Sequence, residues 1–160
     1  MNDMTPMEVK VDSTTVLDGT GTQDVSIDDF TAGWIAGLAA LGVSSVRLEH
    51  GRFYRAIVAA FTRFTELCQE RGLRPRFVIE QTDYYGDAPD FRNALQRATA
   101  TGLVSLDNPE FINMRLKYSA DDAQYLFRYL DGGLSPDGRP RDPADLYVPV
   151  AKAFRQAYAE

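Results

Sequence analysis

"VRLEHGRFYRAIVAAFTRFTELCQERGLRPRFVIEQ", residues 46–81, decides how the rest of the chain is read. Its middle is a helix. Phe53, Tyr54, Ile57, Ala60, Phe61, Phe64, Leu67 and Cys68 recur every three or four positions and trace a wide apolar arc. Arg52, Arg55, Arg63, Glu66 and Glu70 fall on the other side, and Gly72 supplies the C-terminal stop. Before the helix, Val46 and Leu48 alternate with Arg47 and Glu49. After it, Phe77, Val78 and Ile79 make a short unbroken apolar run, the pattern of a strand covered on both faces. Strand, helix and strand in succession predict a parallel βαβ unit over 46–81, with the right-handed crossover that such units almost always take.

Outward from this unit the periodicities continue. Residues 1–6 read as a flexible tail. Met7, Val9 and Val11 alternate with Glu8, Lys10 and Asp12, the signature of a half-exposed strand. A second short strand is expected at Thr14–Leu17, before the Gly-rich loop Asp18–Thr22. Ser26 is a good N-cap, and Asp28 and Asp29 suit the positive end of the helix that follows. Ile27, Phe30, Trp34, Leu38 and Leu41 form its apolar face and Gly42 ends it. Gly33 and Gly37 each cost up to ~1 kcal/mol in a helix relative to Ala, so their spacing points to an element packed closely against them. Downstream, Asp87 or Asp90 caps a helix closed by Gly102. A hairpin over 103–119 joins "LVSL" to "FINMRLKYS" through "DNPE". Ser119 caps a helix carrying Ala123, Leu126, Phe127 and Leu130. The last helix opens at Pro143 after Asp142, and Pro149 is expected to kink or restart it. The fold class is α+β, a mixed α/β arrangement: one small mixed sheet of four or five strands with about five helices packed on it. Residues 7–160 form a single globular domain.

Composition bounds the function. The chain of 160 residues is 44% hydrophobic, enough for a proper core. No apolar run approaches the ~18 residues that span a bilayer. The opening "MNDMTPMEVKVD" lacks a basic region followed by an apolar stretch, so no signal peptide is read there. Cys68 is the only cysteine, which excludes an internal disulfide and fits a cytoplasmic protein. The net charge of −6 is unevenly spread. Residues 1–45 hold seven acids and one Lys, residues 46–76 hold seven Arg and three Glu, and residues 77–160 hold thirteen acids and nine bases. The overall field repels nucleic acid and anionic membranes.

The βαβ unit would bring two strand ends to one sheet edge, where open sheets hold ligands, beside a helix N-terminus with free N–H groups. His50, Arg52, Arg55, Glu80, Asp83, Tyr84 and Tyr85 would converge there. His50 is the one side chain that titrates near neutrality without help and could act as acid or base, oriented by Asp83 or Glu80. Arg52 and Arg55 lack an obvious helical partner and could hold an anion. Tyr84 and Tyr85 offer contact area at low entropic cost. "DGTGT" lacks the Lys-Ser/Thr ending of a P-loop, and Cys68 lies on an apolar helix face, as a structural thiol would. With one His and one Cys, no metal site and no cofactor are expected. Three function classes follow. The favoured one is a non-catalytic protein–protein interaction module of adaptor, regulator or inhibitor type, binding another protein; a homodimer is compatible with it. The second is a small enzyme with an anion-binding site around His50. The third is a winged-helix DNA-binding regulator, since the helix at 89–101 precedes a hairpin, although Asp87 to Lys117 carry no net charge.

Overall fold

The computed structural model describes residues 23–82, 88–106 and 113–160. The strands expected at Met7–Asp12 and Thr14–Leu17, the tail, the "DGTGT" loop, the Asp83–Tyr85 loop and the "DNPE" turn lie outside the described residues. In chain order the elements are β1 (Gln23–Val25), α1 (Ile27–Ala40), β2 (Ser45–Arg47), α2 (His50–Gln69), β3 (Leu73–Pro75), α3 (Pro89–Ala100), β4 (Val104–Leu106), β5 (Asn113–Leu116), α4 (Ala123–Phe127) and α5 (Pro143–Ala159). The fold is mixed α+β, as the periodicities predict. None of these helices is long and apolar enough to cross a membrane.

Among the described residues the strands form two small sheets where one was expected. β1 and β3 pair in parallel, Gln23 opposite Leu73 and Val25 opposite Pro75. β2, β5 and β4 form an antiparallel sheet in the order β2–β5–β4, with Val46 opposite Met114 and Val104 opposite Leu116. The hairpin expected at 103–119 is therefore present. The βαβ unit at 46–81 is not: β2 and β3 flank α2 but lie in different sheets. The cause lies at Gly72–Pro75. The strand starts at Leu73, directly after the positive φ of Gly72 (66°), and is three residues long. Pro75 has no N–H to extend a ladder, and the last backbone bond runs from Arg76 N–H to the Val25 carbonyl (3.0 Å). The run expected as a doubly covered strand is instead an unpaired segment. Ile79 is buried in it, while Val78 is 61% exposed.

Helix α1 sits at the centre. The periodicity predicts one apolar face for it, yet Phe30 through Ala39 are buried almost without interruption. A helix apolar all round belongs in the interior, and α1 is packed against α3, α4 and α5. Its glycines receive α5. A Cβ on Gly33 would clash with the Tyr147 ring at its Cδ1 and Cε1, and one on Gly37 would strike the Tyr147 carbonyl and lie 2.9 Å from the Ala151 Cβ. Ser26 caps α1 as expected, its hydroxyl accepting from Asp29 N–H at 3.1 Å. Around α1 the core is aromatic. Trp34 meets Phe154 at 5.1 Å and Phe91 at 5.6 Å, and Phe30 meets Phe64 at 4.9 Å, all edge-on. Such pairs add ~0.5–1.5 kcal/mol each beyond the area they bury. The apolar arc of α2 supplies Phe53, Ile57, Phe64 and Cys68 to this core.

Three helix starts differ in detail or hold as read. Ala88 is the N-cap of α3, with Pro89 at its first positions and Asp90 in its first turn. Asp122 is the N-cap of α4; Ser119 acts one step back, donating to the Asp122 carboxylate at 3.0 Å. Asp142 caps α5, accepting from Ala144 N–H at 2.9 Å. α5 runs through Pro149 without restarting. Only one helical N–H is lost there, and the buried Tyr147, Val150, Ala151 and Phe154 hold both sides of the gap.

Arg71, at the end of α2, is 3% exposed. Its Nη1 donates to the Gly132 carbonyl at 2.9 Å, and its own carbonyl accepts from Leu134 N–H at 2.8 Å. A Cβ on Gly133 would collide with Arg71, and Gly133 has φ +82°. The loop after α4 is thus clamped onto the end of α2. The Nε of Arg71 is buried without a hydrogen-bond partner. Burial pushes the guanidinium's pKa down, and nearby Arg141 adds to the shift.

Candidate functional site

His50 opens α2, directly after the N-cap residue Glu49. The segment leading to the Tyr84–Tyr85 loop does reach this helix start: Gln81 Nε2 donates to the Gly51 carbonyl at 3.2 Å. Residue 81 therefore lies against the start of α2, reached by a segment outside both sheets rather than by two strands of one sheet. Asp83, Tyr84 and Tyr85 themselves lie outside the described residues. Glu80 is exposed. A cleft of about 560 Å³ separates residues 78–82 from 88–91, with Ile79 and Phe91 among its lining.

Arg52 and Arg55 differ in their surroundings. Arg52 does have a helical partner, because Glu49 at the N-cap lies 3.5 Å from its Nη1. Its Nε donates to the Tyr158 carbonyl at 2.6 Å, and its guanidinium carbon stands 4.5 Å above the Tyr158 ring. Arg52 is thus turned toward the end of α5, while Arg55 stays exposed. Tyr158 in turn donates its hydroxyl to the Arg47 carbonyl at 2.6 Å. Burial raises the Tyr158 hydroxyl's pKa, and Arg52 and Arg47 pull against that shift. These contacts frame a groove of about 380 Å³. Leu38, Val43, Val46 and Phe154 form its apolar lining, and Arg47, Arg52 and Arg155 stand around them.

A second surface feature was missed in the sequence. Tyr129 is 87% exposed and Tyr125 56%. They are four residues apart, at and just beyond α4, and the guanidinium of Arg128 lies 5.1 Å from the centre of the Tyr125 ring. The signal was available. Ala123, Phe127 and Leu130 claim the inward side of this turn, which leaves Tyr125 and Tyr129 outside. Beside them a cleft of about 560 Å³ runs between α4 and the start of α5, lined by Gln124, Phe127, Pro143 and Val148 among others.

Other candidates resolve locally. Cys68 is fully buried, and burial pushes its thiol up to about 12, so it is un-ionised at neutral pH. Among the described residues no three His, Cys, Asp or Glu side chains gather as metal ligands would. Behind α3, the β4–β5 hairpin gains β2 as a third strand. α2 and α3, however, are separated by β3 and residues 76–88 rather than by a short turn. Arg97 of α3 is ion-paired with Asp28 of α1 at 2.9 Å. No protein-family model, curated protein or solved structure matches the chain.

Proposed function

We propose that the chain is a non-catalytic protein–protein interaction module, working in the cytoplasm as an adaptor, regulator or inhibitor. One observation carries this reading: Tyr125, Arg128 and Tyr129 form an exposed aromatic–cationic group beside a cleft. Tyr and Arg are the residue types in which interface hot spots are richest. A Tyr side chain brings large area with only two rotatable bonds to freeze, and a polar tip that a partner can hydrogen-bond. An 87% exposed Tyr129 contributes little to folding, so its ring is available to a partner without cost to the fold. The test is affinity capture from the native host with the wild-type chain and with a Tyr125→Ala/Tyr129→Ala variant. Specific partners should be recovered by the first and depleted by the second, at unchanged thermal stability. Equal recovery by both would refute the reading.

A second reading, DNA binding, draws on the order β2–β5–β4 behind helix α3, which is how a winged helix builds its wing. Electrostatics weigh against it, because Arg97 is already paired with Asp28. Duplex binding that weakens steeply with salt and is lost on Arg92→Ala/Arg97→Ala would favour this second reading over the first.

A further inference from the structure

We infer that the groove between β2, the start of α2 and the end of α5 is a docking site for an acidic segment of a partner protein, one that also carries an apolar side chain; this rests on the interaction-module reading above. Charge complementarity is the argument. The chain carries −6 overall, yet Arg47, Arg52 and Arg155 surround this one groove. Glu49 faces them, and it is engaged by Arg52. Among the described residues neither Arg47 nor Arg155 is held in a salt bridge. Carboxylates can therefore reach both, and Arg52 is already oriented by Tyr158 and adds its charge without having to be ordered.

The shape suits an extended segment. Among the described residues β2 is an edge strand, with β5 as its only neighbour in the sheet. Leu116 N–H bonds to the Ser44 carbonyl. By the alternation of an antiparallel ladder, Ser44 and Val46 then face β5, while Ser45 and Arg47 turn their peptide groups outward. The Arg47 carbonyl confirms that direction by accepting the Tyr158 hydroxyl. A bound segment can lie along Ser45, set an apolar side chain on Val43, Val46 and Phe154, and present its acids to Arg47 and Arg155.

The test places a photo-crosslinking amino acid at Ser45 of the full chain in its native host and identifies the captured peptides by mass spectrometry. Captured segments should be net acidic and contain an aliphatic or aromatic residue. Reversing both exposed charges, Arg47→Glu/Arg155→Glu, should lower the yield about tenfold, since exposed pairs are individually weak and reversal turns attraction into repulsion. Arg47→Lys/Arg155→Lys should keep most of it. No crosslink, a neutral or basic captured segment, capture of the chain's own residues 1–22, or a yield indifferent to charge reversal would each overturn the inference. If Ser45 captures nothing while partner recovery still depends on Tyr125 and Tyr129, the groove assignment alone fails. If neither surface captures a partner, the interaction-module reading fails with it.

Discussion

Replacing Gly37 by Ala should destabilise the fold by about 2 kcal/mol, although the same change in an isolated helix stabilises by ~0.8–1 kcal/mol. The new Cβ would strike the backbone carbonyl of Tyr147 and crowd the Cβ of Ala151 at 2.9 Å. A carbonyl inside a helix cannot move aside alone, so α5 must shift as a body away from the aromatic core. Overpacking of this kind costs ~1–3 kcal/mol or more. Gly33→Ala meets the Tyr147 ring instead, and that ring is stacked on Phe64 at 5.7 Å, which limits its retreat. A loss of ~2 kcal/mol corresponds to a fall of roughly 4–8 °C in Tm for a domain of this size. Urea unfolding of single and double variants separates the two sites. In a Tyr147→Ala background the ring is gone, so Gly33→Ala should become neutral or stabilising. Gly37→Ala should stay destabilising there, because the carbonyl remains. If both substitutions raise stability in the native background, the close approach of α1 and α5 is wrong.

The other expectations follow from the same packing. Gly51→Ala should raise stability by ~0.5 kcal/mol, since the added Cβ meets nothing within 4 Å beyond its own stretch of helix; a fall in the urea midpoint would contradict this. The Cys68 thiol has a folded pKa of about 12 against an ordinary 9.0. The folded state therefore holds the proton more tightly, and stability must fall as pH rises above 9, by ~1.4 kcal/mol per unit. Tyr147, also pushed up by burial, adds to that loss above pH 10. Urea midpoints at pH 7.5 and 10 should converge in Cys68→Ala, and an identical pH slope in both proteins would exclude the thiol as the source. Arg71→Met should cost ~1–3 kcal/mol by leaving the buried Gly132 carbonyl without its donor. Faster amide exchange at 131–134 is the direct readout, and unchanged exchange there would show that the clamp carries nothing.

Much of the helical framework was legible because its signals are local. The Ser26 and Asp142 caps, the arc from Phe53 to Cys68, and Gly33 with Gly37 each depend on residues within a turn or two. The sheets were not legible in the same way. A three-residue strand such as Leu73–Pro75 carries too little pattern to name its partner, and that partner, Gln23–Val25, is about fifty residues away. Reading Phe77–Ile79 as doubly buried failed because an apolar run does not say which of its side chains turns outward, and Val78 does. The central burial of α1 was written in "TAGWIAGLAA" (31–40), which is apolar or small on every side. Of the candidate site, the approach of residue 81 to the start of α2 was anticipated by a topology that does not exist. The diversion of Arg52 to Tyr158 depends on a residue over a hundred positions away and left no trace in local spacing.

The notch that Gly33 and Gly37 cut into α1 acts as a key for registration. Two smooth apolar cylinders could slide past one another by a turn of ~5.4 Å at little cost. Here a one-turn slip would bring Pro143 or Ala151 to the place of the Tyr147 ring, leaving a void where an aromatic side chain belongs and driving that ring against a neighbour with no hollow to receive it. Two missing side chains thus restrict the helices to a single alignment, and so set where both ends of α5 emerge: Asp142 beside the Tyr125–Tyr129 surface and Tyr158 beside the arginine groove.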